Sequence, residues 1–97
     1  MEFSYTTISI TGVPIRLLAE RWSYTNACCD EVLETIERPD YILRGRKDTL
    51  VAVRTMAAGR YLRVRYRVLS PREGFVISAR VTSSLDHLAV LWRTRRL

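Results

Sequence analysis

The chain holds one lysine, Lys47, and one histidine, His87, in 97 residues. Histidine is the side chain that titrates near neutrality when unperturbed, so conventional acid–base chemistry has a single obvious candidate here. No apolar run approaches the ~20 residues of a transmembrane helix, so none is expected. Met1 is followed by Glu2 instead of a basic stretch and an apolar segment, so no signal peptide is expected and the default location is cytoplasmic. There are two cysteines, Cys28 and Cys29, and they are adjacent. Metal motifs space their cysteines by two or more residues, and a vicinal disulfide is strained. Two reduced thiols are expected, at least one packed as a small hydrophobe, with no metal and no cofactor. Repeats, linkers and low-complexity segments are absent as well.

What is present is a globular composition, 47% hydrophobic and 27% charged, of a length that allows one domain over residues 1–97. A domain this small buries only about 60–65% of its unfolded surface, which makes for one modest core. The net charge is +6, and it is unevenly spread. Through Asp40, three bases meet seven acids; from Tyr41 onward, thirteen bases meet only Asp48, Glu73 and Asp86. A basic face of this kind attracts nucleic acid, an acidic protein or anionic lipid. Arginine, which dominates it, makes bidentate contacts to phosphate and carboxylate. An arginine bias of GC-rich coding is the plainer source of the same ratio.

Residues 3–10, FSYTTISI, are aromatic and β-branched and predict a strand. Gly12 and Pro14 predict a turn, and Ile15 with Leu17 a second short strand. From Leu18 to Arg38 the pattern predicts one or two helices. The clearest begins with Asn26 as N-cap and carries Asp30 and Glu31 at its positive end. It buries Val32, Leu33 and Ile36, wets Glu31, Glu34 and Glu37, and stops at Pro39. Residues 41–83 predict antiparallel strands in YILRG, TLVAVRTM, YLRVRYRVL and FVISARVTS, with Gly59 in one connection and Pro71 and Gly74 in the next. In YLRVRYRV, Leu62, Val64, Tyr66 and Val68 alternate with Tyr61, Arg63, Arg65 and Arg67. By the same alternation Arg80 shares a face with Val76 and Ser78. Residues 84–97 form a basic C-terminal element that reads equally as a helix capped by Ser84 or as a last edge strand, LAVLW.

At ERW, DEVLETIERPDYILRG, YLRVRYRV and GFVISARVTSS the chain resembles a family of small prokaryotic proteins that in turn look like the RelE/BrnT-like toxin superfamily. Glu20, Arg21 and Trp22 match its opening motif, Val32, Leu33, Pro39 and Asp40 its helix and stop, and Ile77 to Arg80 its last strand. The histidine usual after Arg-Trp falls at Tyr24. The resemblance implies an α+β fold, one or two N-terminal helices packed on a curved antiparallel meander of three to four strands. It also implies metal-independent RNA cleavage and an acidic antitoxin-like partner.

Such cleavage needs a base, an acid and cations for the scissile phosphate. Arg54, Arg63, Arg65, Arg67 and Arg21 are the candidate nucleic-acid-binding residues, and Arg80, His87 and Tyr24 the candidates for catalysis. Each has a plainer role: a wet sheet face for the arginine row, an ion pair for Arg21 or Arg80, an exposed polar residue for His87. Two functions remain open. One is a toxin-like RNA binder or ribonuclease. The other is a non-enzymatic module that binds an acidic partner or a second copy of itself through its basic face.

Overall fold

Tyr41–Arg44, Leu50–Thr55, Tyr61–Ser70 and Glu73–Thr82 form the centre of the molecule in the computed structural model, which describes residues 4–18, 29–85 and 89–94. With β1 (Ser4–Ile8) and β2 (Pro14–Leu18) before them, these are β3 to β6. The helix α1 (Cys29–Glu37) follows β2, and β7 (Val90–Arg93) comes last. The strands β3 to β6 make the antiparallel meander that their turn residues call for.

The sheet, however, is larger than the sequence suggests, and it is mixed. Its order is β1-β2-β6-β5-β4-β3-β7. β2 lies parallel to β6, with Ile15 beside Gly74 and Arg16 beside Phe75, and β1 completes a hairpin on its outer side. β7 pairs antiparallel with β3 at the far edge. The expected RelE/BrnT-like arrangement, helices on a sheet of three to four strands, is therefore overturned: seven strands and one nine-residue helix are described. Within the C-terminal element, Val90–Arg93 is a strand, and residues 86–88 and 95–97 lie outside the described residues. Asn26 and Cys28 lie outside the described residues.

Gly74 belongs to β6, not to the turn, which is made by Pro71 and Arg72. A Cβ there would stand 2.6 Å from Ile15 Cδ1 and 2.8 Å from the Arg67 carbonyl oxygen. Glycine thus lets β2 close onto β6.

The helix packs on β1, β4 and β5. Val32 and Ile36, one turn apart, are wholly buried with Ile15, Leu17, Ile42, Ala52, Leu62, Val64 and Tyr66. Thr35, also buried on α1, donates its hydroxyl to the Glu31 carbonyl, 2.7 Å away. Burial pushes the Tyr66 phenol up to about 12, since ionisation would strand a charge in the core.

A second apolar cluster lies on the opposite face: Leu43, Val51 and Val53, flanked by Tyr41, Tyr61 and Leu85. Leu85 follows β6, so the chain leaves that strand over this second face. Asp40 joins three strands at the far edge. Its N–H donates to the Val53 carbonyl, its own carbonyl accepts from Thr94, and its carboxylate accepts the Thr55 N–H at 2.6 Å. Among the described residues no helix is long and apolar enough to cross a membrane.

Candidate functional site

The second face carries the arginine row. On β5, Leu62, Val64 and Tyr66 enter the helix-side core, which turns Tyr61, Arg63 and Arg65 the other way. Across the strand pair, Arg63 stands opposite Arg80 and Arg65 opposite Ser78. On the other side, Val53 and Val51 of β4 stand opposite Arg63 and Arg65. Together Val51, Arg63, Arg65, Ser78 and Arg80 line a shallow cleft of about 350 Å³.

A β-bulge builds this cleft. The register steps from Arg65–Ser78 to Tyr66–Val76, leaving Ile77 with no residue opposite. Val76 and Ala79, three apart, can then both face the helix-side core. Simple alternation would set Val76 on the face of Ser78 and Arg80; the bulge takes it off that face.

The three arginines are held differently. Arg63 is buried, 7% exposed, and is engaged by interactions within the protein. Arg65 is half-buried and Arg80 exposed, so their guanidinium groups are the ones within reach of a ligand. The cleft therefore offers fixed cations and a hydroxyl, Ser78, above an apolar floor at Val51. Half-buried aromatic rings lie on the same face, Tyr61 on β5 and Phe75 on β6, the latter between Arg67 and Arg16 in the register.

Two of the expected arginines do not join the cleft. Arg54 follows Ala52 on the helix side of β4 and forms a 2.9 Å ion pair with Glu34 of α1. That bond draws the Glu34 carboxyl below its usual value and raises the Arg54 guanidinium. Arg67 turns to the hairpin between β3 and β4, donating to the Lys47 carbonyl at 2.7 Å, while its Nε is buried without a hydrogen-bond partner. Arg21, Tyr24 and His87 lie outside the described residues.

Sequence reading missed Val51 as the floor and the bulge at Ile77 as the builder. Neither leaves a local signal, because a bulge is one unpaired residue in an unbroken β-rich run. Among the described residues no three His, Cys, Asp or Glu side chains gather as a metal site requires. No family model matches the chain, and no curated protein or solved structure is similar enough to it to count as a match.

Proposed function

We propose that the second face of the sheet binds single-stranded RNA through its phosphates, with Arg65 and Arg80 as the outer contacts and Ser78 as an added donor. The observation that carries this reading is the gathering of Arg63, Arg65 and Arg80 around one cleft. Arginine forks match phosphate oxygens in pairs, and half-buried rings such as Tyr61 or Phe75 can offer their open side to unstacked bases without regard to sequence. A sheet face with cations and aromatics suits a splayed single strand better than a duplex groove. RNA as the ligand puts the protein's work in the cytoplasm.

Binding, not cleavage, is the activity these residues support. Arginine does not give up its proton in proteins, so the cleft's cations can clamp a phosphate but not activate the 2′-hydroxyl. A toxin-like ribonuclease would need His87 or Tyr24, and substitutions His87→Ala and Tyr24→Phe are the variants that tell.

Fluorescence anisotropy with a labelled single-stranded RNA tests the reading. Affinity should fall steeply with salt as counterions are released, and Arg65→Thr or Arg80→Thr should each lower the log–log salt slope by about one unit. Arg54→Ala, on the other side of the sheet, should leave binding unchanged. RNA affinity that is indifferent to both Arg65→Thr and Arg80→Thr would refute it.

A second reading is favoured by the exposed acids of α1, Asp30, Glu31 and Glu37. The same cleft would accept the carboxylates of an acidic protein segment, including α1 of another copy. Self-association that dissolves with added salt and is lost in Arg65→Thr would distinguish it.

A further inference from the structure

We infer, building on the RNA reading of the cleft, that Phe75 and Arg16 form a second subsite that stacks a neighbouring base of the bound strand, so that the RNA leaves the cleft toward β2. Simple alternation from Ser78 and Arg80 would put the Phe75 ring on the helix side, in the core. The bulge at Ile77 sets it on the arginine face instead. There it belongs to neither apolar cluster and stays half-buried. Tyr61, the other ring of this face, packs against the cluster of Leu43, Val51 and Val53. A ring stabilises a fold through the area it buries. Tyr61 does that work, and Phe75 keeps a side open to a ligand.

Arg16 reaches the ring through a second irregularity. β2 runs parallel to β6, and Gly74 lets the two strands close up. Ile15 and Leu17 enter the helix-side core, which turns Arg16 to the other face beside Phe75. One row across three strands is therefore Arg16, Phe75, Arg67. Glu73 is the one acid in the seven strands, and it ion-pairs with neither flanking arginine. Arg16 is exposed and makes no ion pair among the described residues. Ring and cation, about 5 Å apart by strand spacing, take a base on the ring's open side and its phosphate at the guanidinium. Phe75 and Ser78 are about 10 Å apart along β6, a reach that neighbouring nucleotides of one strand cover. The other direction is closed, because Leu85 packs on the apolar cluster beyond Arg63. Arg93, opposite Tyr41, lies past that cluster on the same face.

Anisotropy on the full chain tests this with a labelled single-stranded RNA of about 12 nucleotides. Polyphosphate, which carries charge without bases, is measured by competition. Phe75→Leu should weaken RNA binding about tenfold at every salt concentration, leave the log–log salt slope unchanged and leave polyphosphate affinity intact. Phe75→Tyr should bind as the wild type does. Arg16→Thr, at an exposed site, should lower the slope by about one unit, and Arg93→Thr should change nothing. If Arg65→Thr and Arg80→Thr weaken RNA binding while Phe75→Leu or Arg16→Thr leaves it intact, the subsite is overturned and the cleft stands. Indifference to all four overturns both. Equal loss of RNA and polyphosphate in Phe75→Leu would make the ring architectural, and equal effects of Arg93→Thr and Arg16→Thr would replace the subsite with the charge of the whole face; either result overturns the inference.

Discussion

Arg63 of β5 stands directly opposite Arg80 of β6 across an antiparallel pair, on the face turned away from α1. Like charges in that position destabilise a sheet, against cross-strand terms of about 0.2–1 kcal/mol for favourable pairs. Arg63 is buried and held within the protein, so the outer residue is the one whose charge the fold can spare. Arg80→Thr keeps a residue at home in a strand and removes the repulsion. It should raise the urea midpoint by an amount worth about 0.5 kcal/mol while weakening RNA binding. Opposite signs on stability and affinity are the mark of a residue retained for binding; a loss of stability would assign Arg80 to the architecture.

Gly74 makes the second case. Gly74→Ala should cost about 1–3 kcal/mol, because the new methyl meets Ile15 Cδ1 and the Arg67 carbonyl oxygen. Ile15→Val removes the Cδ1 atom, so the double variant should be less destabilised than the two single losses combined. Recovery should stop short of the wild type, since the Arg67 carbonyl is backbone and cannot step aside. Urea unfolding of the four proteins gives the coupling, and strict additivity would show that β2 and β6 are not in close contact there.

These two residues also show what the sequence discloses. β5 is legible because its two faces differ: Leu62, Val64 and Tyr66 against Arg63 and Arg65. β4 is not, because it separates two apolar clusters. Ala52 faces one, Val51 and Val53 the other, so no polarity marks the side on which Arg54 emerges. On β6 the bulge at Ile77 inverts the alternation halfway along, and residues on its two sides change faces unannounced. Parallel pairing of β2 with β6 has no local turn to betray it; its only trace is a glycine, which reads equally well as part of the Pro71 turn. β7 is exposed on all its residues, so its apolar run carries no period and fits helix or strand alike.

The turn between β3 and β4 is held by a Thr49 N–H bond to the Arg46 carbonyl, with Lys47 and Asp48 at φ 53° and 60°. Both central residues occupy the left-handed region that primed hairpin turns require and that Asn-Gly fits best. Lys47→Asn with Asp48→Gly should therefore stabilise the protein by about 1 kcal/mol. The Arg67 contact to residue 47 survives, because it uses the backbone carbonyl. A thermal melt suffices, with no rise in midpoint as the result that contradicts the argument.

Tyr66 predicts an alkaline limit. Its phenol is raised to about 12 in the folded chain, against about 10 when unfolded. The unfolded state thus loses this proton first as pH climbs. The stabilising contribution is whole below about 10 and drains away between about 10 and 12. Tyr66→Phe has no proton to lose and should show a flatter decline across that window. Urea midpoints of both proteins at steps from pH 9 to 11.5 make the comparison, and identical slopes would place the phenol in contact with water.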